Sequence, residues 1–441
     1  MSLLRRAVRT VQVLASVRRE RRVPYLPIAA LHEIRDRRVR AIVAHAYDTV
    51  PYYRETLDQL GLTPADFHTA DDLATLPLLA KTDIAADPER FRSTAIDPAD
   101  SLVLTTSGTR GPNLSVRYDA EALRLNLACA GRETAAIARA TGLSLLGLRV
   151  ASFRRSGGVP ESIQQFYRSQ AFLPTRSLPL DPYAPLDENV ARLNRFRPHV
   201  IAGAGSFVGT LFRLHLEGRM RLVLPRAVVF GGDPFPEGVR AHLERDCGVP
   251  VFSCYGATEV PRIGFSCERR RGLHLHADLS HVRPLDPHAG GGSDAPGELV
   301  VSNLTNRATV LLNYRQGDWG TLSDRACPCG RTLPLLDGTI GRVDEAIVLS
   351  NGRFVTRYHL DLVLGARTDL LEYQLVQSAG DSLVVKVIPT GGADLATIAQ
   401  ELRQGFASLV GDGVRIEVER VEQIPALPSG KVVRIVARPG A

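Results

Sequence analysis

Long apolar runs are missing from this 441-residue chain. Nothing in it approaches the roughly 20 consecutive apolar residues that cross a bilayer. The opening MSLLRRAVRTVQVLASVRRERR keeps breaking its apolar stretches with arginine, so a cytoplasmic protein without a transmembrane segment is expected. Cysteine is scarce: six in a chain of this length argue against a secreted disulfide scaffold and leave reduced thiols with room for one metal site. Aromatic residues make up 6% and do not interleave with the basic ones. The net charge of +7 and pI near 9.2 therefore do not read as a surface for single-stranded nucleic acid, and no nucleic-acid partner is expected. Internal repeats and low-complexity segments are absent. So is the Lys-Ser or Lys-Thr pair of a P-loop, and Ser206 in GAGSF lacks the strand, GxSxG, helix context of a nucleophilic serine. The arginine-rich first 22 residues have the pattern of a basic amphipathic helix able to touch a membrane surface or nucleic acid; a solvated helix or a frayed terminus is the simpler reading.

With 44% apolar residues the chain can bury a large core, and its length points to two unequal domains. From about residue 119 to 256, helical stretches such as DAEALRLNLACAGRETAAIARATG alternate with the short apolar runs LRVASF, HVIAG, RAVVFGG and PVFSCYG. That alternation predicts parallel strands covered by helices. The strand ends HVIAGAG, VVFGGD and FSCYGATE run into small or polar residues, and ligands of open α/β sheets bind outside such carboxyl ends. Residues 281 to 298 are rich in Gly, Pro and Asp, after which ELVVSNL and TVLLNYRQGD read as strands of an attached β-rich part. After Gly341 the pattern changes to a hairpin around Asn351 and Gly352, the strands LEYQLVQSA and SLVVKVIPT, the helix ADLATIAQELRQGFASLVG and the strand VRIEVERV. The expected class is α/β: a large N-terminal domain of parallel-type sheets and helices with an attached β-rich part, plus a small C-terminal α+β domain of about a hundred residues.

Polar motifs punctuate this frame in a fixed order: TTSGTRG, YGATE, YRQGD, GRVDE and PSGK. In the first, Gly108 and Gly111 let amide groups and the hydroxyls of Thr105, Thr106, Ser107 and Thr109 approach a polyphosphate, with Arg110 adding charge; alone, the segment reads as a surface turn. In YGATE, which follows an apolar strand, Thr258 suits a phosphate, Glu259 is a hard oxygen ligand for magnesium and Tyr255 can lie against a base, with Gly256 between them. Asp318 of YRQGD can accept hydrogen bonds from two ribose hydroxyls. A second constellation joins Cys267, His274, His276 and His281 to Cys327 and Cys329; thiolates with imidazole in a set of four suit tetrahedral zinc, and buried inert thiols are the competing reading.

The order and spacing of these motifs, together with FGGD, CERRRGLHLHAD and CPCGR, resemble the adenylate-forming superfamily of acyl- and aryl-CoA synthetases. The closer likeness is to its phenylacetate-CoA ligase-like branch, and it runs over nearly the whole chain. The resemblance implies ATP- and magnesium-dependent activation of a carboxylic acid, an aromatic one first among them, as an acyl-adenylate, followed by transfer to the thiol of CoA. Two alternatives stay open: transfer to an amine, a carrier protein or a polysaccharide acceptor, and a non-catalytic nucleotide- or polyanion-binding protein on the same fold. A homodimer is also open.

Carried onto this sequence, the likeness implies that Thr105 to Gly111 close over the β- and γ-phosphates and that Thr258 and Glu259 hold phosphate and magnesium. Asp318 and Arg342 would grip the ribose, and Gly231, Gly232 and Asp233 would line the adenine pocket. Asp344 would be the hinge between a large domain of residues 1–343 and a lid of residues 344–441, and Lys431 the mobile lysine that reaches the carboxylate and the α-phosphate. Strand tips facing an adenylate also face its acyl group, which nominates Phe153, Ser206, Phe207, Gly231 and Ala257 for the acyl pocket. Similar cysteines in this branch favour Cys267, His274, Cys327 and Cys329 as a structural zinc set. Two departures stand out. GPNLSV lacks the lysine usual after the Gly-Pro region, and IPALPSGK lacks the basic residue often found before Ser-Gly-Lys; both bear on rate more than on reaction class.

Overall fold

The computed structural model of the chain describes residues 3–106, 113–144, 147–172, 175–285, 297–323, 325–342, 347–350, 354–355, 360, 363–364, 367, 369–410, 413–425 and 432–437. Among them an eleven-stranded mixed sheet organises the chain. Its parallel half runs, in spatial order, Arg176–Leu180, Arg149–Phe153, Val200–Ala204, Ala227–Gly231 and Val251–Tyr255. These are the short apolar runs of the sequence, and the helices between them supply the covering layers. The antiparallel half continues through Gly264–Phe265, Leu273–Leu275, Leu335–Arg342, Tyr314–Ser323, Gly297–Asn303 and Ser280–Leu285. The β-rich part is thus an extension of the same sheet, with Tyr255 opposite Gly264 and Phe265 opposite His274 at the junction.

The helix Ala120–Thr141 begins where Asp119 accepts the amides of Glu121 and Ala122 at 2.9 and 2.8 Å and ends at Gly142 in the left-handed region. The helix Leu3–Glu20 packs against it. Val13 and Glu20 are buried, so this segment is neither fully solvated nor frayed: one face is fastened to the core. The expected strand TVLLNYRQGD forms only from Tyr314. Before it, Tyr53 Oη donates to the Val310 carbonyl at 3.2 Å and accepts the Leu312 amide at 2.8 Å, and Asn313 at φ +57° breaks the extended path.

Residues 370–436 contain a four-stranded sheet, in the order Arg415–Arg420, Ser382–Pro389, Leu370–Ala379 and Ile435–Val436, covered by the helix Leu395–Val410. This sheet has its own apolar core, including Leu375, Leu383, Val385, Leu402 and Phe406. Its other face reaches the large sheet's helices: Leu371, Ile388, Ile424 and Val432 share a cluster with Phe212, Phe235 and Val239. Glu372, which lies 3.2 Å from Arg434 of its own sheet, also stands 3.7 Å from Arg213 across that boundary, a buried ionic contact amid the apolar one. A short antiparallel pair, Ile347–Val348 with Phe354–Val355, matches the expected hairpin, whose centre at Asn351 and Gly352 lies outside the described residues.

Candidate active site and metal centre

The carboxyl ends of the parallel strands carry the motif residues. Val251–Tyr255 delivers YGATE, and a turn closed by the Ala257 amide on the Val260 carbonyl at 2.9 Å follows at once. Gly256 is required there, because a Cβ would stand 2.3 Å from the Pro261 carbonyl oxygen. The turn is held from two sides. The Tyr118 hydroxyl donates to the carbonyls of Thr258 and Glu259 at 2.9 and 2.6 Å, and Asn303 Nδ2 donates to the Glu259 carbonyl at 3.2 Å. Burial raises the Tyr118 phenol well above its ordinary pKa, which keeps it a donor. Tyr314 Oη donates to Glu259 Oε1 at 2.8 Å, fixing a buried carboxylate at the strand tips.

Asp318 comes from the strand Tyr314–Ser323, four places from Val251–Tyr255 in the sheet order, and its Oδ2 accepts from Tyr255 Oη at 2.8 Å. Register pairs Asp318 with Arg342 across the antiparallel ladder, so the two backbone positions implied for the ribose are neighbours; the Arg342 side chain is outside the described part. The strand Ala227–Gly231, paired with Val251–Tyr255, ends at Gly231 and is followed by Gly232, and Asp233 binds Ser206 by accepting its hydroxyl and, at 3.2 Å, its amide. Ser206 is thereby buried and oriented by Asp233, while the rings of Phe153 and Phe207 pack beside it with centroids 4.7 Å apart and planes tilted by 52°. Thr105 Oγ1 lies 3.0 Å from Ser115 Oγ, and Thr106 exchanges hydrogen bonds with Leu114. The strands Ser101–Thr105 and Ser115–Asp119 pair, and Tyr118 in the second ties them to YGATE. Ser107, Gly108, Thr109, Arg110, Gly111, Asp344 and Lys431 lie outside the described residues.

Sequence reasoning gave no role to Tyr118 or Tyr314, nor to a buried ionic network behind the site. Arg262, just past YGATE, pairs with Glu133 and donates to the Asn126 carbonyl at 2.9 Å. Burial alone would raise the Glu133 carboxyl, but Arg262 and His276 hold it at about 2. Arg132 joins Glu20 at 2.5 Å to Asp278 at 2.7 Å. The available signal was the pair Arg132-Glu133 inside an alanine-rich helix, where isolated charges need buried partners.

The metal constellation converges. Ligand atoms of Cys267, His274, Cys327 and Cys329 all lie within 4.8 Å of one another. Cys267 Sγ and Cys327 Sγ are 3.7 Å apart, far too long for a disulfide and close to the ~3.8 Å edge of a tetrahedron with Zn–S bonds of about 2.3 Å. Cys329 Sγ is 3.3 Å from His274 Nε2. The amides of Arg269 and Arg331 donate to Cys267 and Cys329 at 3.4 and 3.5 Å, orienting the sulfurs. Burial, with Arg331 nearby, brings His274 down to about 4 and keeps it the neutral ligand form, while burial raises the Cys327 thiol to about 12, so a cation is what would favour its thiolate. His276 is instead committed to the ionic network, 3.7 Å from Glu133, and His281 stands apart from the cluster.

This combination of a parallel sheet with motif turns at its carboxyl ends, an antiparallel extension and a small α+β unit is the fold of the adenylate-forming ligases. The chain resembles 2-hydroxyisobutyryl-CoA ligase in its postadenylation state with a TM-score of 0.76, 21% identity and coverage of 95% of this chain and 91% of that one. The score is 0.62, at 22% identity, against that enzyme with 2-HIB-AMP and CoA in the thioesterification state, with 94% and 91% covered. In sequence it is similar to phenylacetate-coenzyme A ligases over most of its length. It is 28% identical to that of Thermus thermophilus over 406 residues, covering 88% of this chain and 85% of the relative. Identity is 25% to that of Escherichia coli over 438 residues, covering 92% and 94%. The family description "CapK C-terminal domain" matches residues 347–438.

Proposed function

We propose that this protein activates a carboxylic acid with ATP and passes the acyl group to the thiol of CoA, with aromatic acids the first class to test. The carboxylate oxygen attacks the α-phosphorus and pyrophosphate leaves; the CoA sulfur then attacks the acyl carbon and AMP leaves. One observation carries the reading: two tyrosines bring Glu259 and Asp318 together at the carboxyl ends of the parallel strands, in a chain similar to CoA ligases over most of its length. Glu259 would hold magnesium beside Thr258, Asp318 and Arg342 would bind ribose, and Gly231, Gly232 and Asp233 the adenine. Thr105 to Gly111 would close over the phosphates, and Lys431 would stabilise charge at the α-phosphate. Phe153, Phe207 and Ala257 would contact the acyl group, with Ser206 oriented through Asp233.

In the same reading residues 344–441 form a lid that turns about Asp344. The higher score against the postadenylation complex supports taking the present arrangement as the adenylating one. Zinc in the Cys267, His274, Cys327 and Cys329 set would tie two loops beside the strand that carries YGATE, with no catalytic water, and a cytoplasmic location fits the reduced thiols.

The test is pyrophosphate release with ATP and magnesium across aromatic and aliphatic acids, with and without CoA. Release with one acid and a CoA-dependent thioester is the expected result. Release with no thioester would move the acceptor to an amine, carrier or polysaccharide, and silence across the panel would overturn adenylation. Lys431→Ala should abolish release while leaving ATP binding intact.

A further inference from the structure

The helix Leu3–Glu20 has one face fastened to the protein and another left to solvent with an unusual composition. Val8, Val11 and Leu14, three residues apart and therefore on one side, are 51%, 68% and 50% exposed. Arg18, on the same side one turn beyond Leu14, is exposed, as are Arg19 and Arg22. The same end of the helix opens into a cavity of about 520 Å³ lined by Arg18, Arg21, Arg22, Arg132, Arg139 and Arg331. The acids around this cavity are already engaged. Glu20 and Asp278 bind Arg132, and Glu268 lies 2.7 Å from Arg331 and 3.4 Å from Arg139. The result is an exposed aliphatic stripe that leads into a concave arginine cluster with excess positive charge.

Neither half is typical of a solvated helix. A charged face for water would not expose three β- or γ-branched residues in register, and a face for another protein's core would not end in a basket of guanidinium groups. The two together match the surface of an anionic bilayer: apolar side chains enter the headgroup boundary and arginines meet lipid phosphates. We propose that this helix docks the enzyme, through Val8, Val11, Leu14, Arg18 and Arg22, on anionic phospholipid membrane. Arg18 and Arg22 both line the cavity wall at this end of the helix.

The experiment is sedimentation of the full chain with vesicles of phosphatidylcholine containing about a quarter phosphatidylglycerol, against phosphatidylcholine alone, at low and high salt. Binding should require the anionic lipid and weaken with salt. Arg18→Gln with Arg22→Gln should lower affinity roughly 25-fold, at about fivefold per arginine near the surface. Val11→Gln with Leu14→Gln should lower it by a similar order, while melting temperature and pyrophosphate release in solution stay unchanged. Equal binding to neutral vesicles, or none to anionic ones, overturns the proposal. So does binding that soluble polyphosphate displaces but the Val11 and Leu14 changes leave intact, which would make the cluster a polyanion site. A wild-type dimer that Leu14→Gln dissociates, with no vesicle binding, would assign the stripe to a second copy of the chain.

Discussion

Replacing Gly238 by alanine should separate the two half-reactions. Gly238 lies buried in the first turn of the helix Glu237–Arg245, facing the edge of the small unit. An added Cβ would stand 1.6 Å from the Leu370 carbonyl oxygen, 2.7 Å from its carbon and 3.0 Å from Leu371 Cα. All three atoms are backbone, so no rotamer change relieves the clash. Carbon contacts lie at about 3.5 Å, so the two surfaces must part by roughly 2 Å. In an isolated helix the change would stabilise by about 0.5–1 kcal/mol; here overpacking of about 1–3 kcal/mol opposes it and decides the sign. The movement falls on the contact made by Leu371, Ile388, Ile424 and Val432 and on the ionic contact of Glu372 with Arg213. Misplacement on an ångström scale can slow a reaction about a hundredfold. Acid-dependent pyrophosphate release should therefore fall by about that factor, while thioester formation from supplied acyl-adenylate, which under the proposed lid rotation uses another position, should change far less. An unchanged or raised melting temperature with full adenylation would refute the reasoning.

Three further outcomes follow from the same geometry. Tyr314→Phe removes the donor to Glu259 Oε1; a charged hydrogen bond of about 1.5 kcal/mol corresponds to roughly tenfold slower pyrophosphate release with a raised magnesium requirement. Glu259→Gln should cost more, and unchanged magnesium dependence in both would remove the metal-ligand role. Metal analysis should find about one zinc per chain, lost in Cys329→Ser together with several degrees of melting temperature, while activity per folded molecule is kept; a metal-free wild type of equal stability would refute the centre. Burial, with Arg35 beside it, pulls His281 down to about 4, below its unfolded value near 6.5. Its contribution is therefore complete above about pH 6.5 and lost as pH falls towards 4, by no more than about 3 kcal/mol. His281→Gln should flatten the fall of melting temperature across that window; an unchanged slope would show that the ring does not titrate there.

Much of the fold was legible because its cause is local. Strands such as AVVF and VVKV need only an apolar run of the right length between helical periods, and Asp119 and Gly142 mark the helix Ala120–Thr141 by capping chemistry alone. The motif turns were visible for the same reason, since glycine beside a hydroxyl or carboxylate is a local requirement. The sequence also narrowed the metal ligands to six cysteines and histidines. The resemblance favoured four of them, and the tertiary structure supplies the physical reason: antiparallel pairing of Phe265 with His274, and of His274 with Leu335, puts Cys267, His274, Cys327 and Cys329 around one point, while His276 is taken up by Arg132 and Glu133. The partners of Glu259 and Asp318 were equally invisible, because Tyr118, Tyr255 and Tyr314 come from three separate strands and their hydroxyls meet only when those strands share a neighbourhood. The arginine-rich opening shows the division most clearly. Its helical period was written in the sequence, but which side faces water was decided by Arg132, more than a hundred residues away, which takes Glu20 into the core and leaves Val8, Val11 and Leu14 outside. Local chemistry fixes elements and turns; pairing between distant segments fixes which side chains meet, because burial energy depends on contacts that no single segment contains.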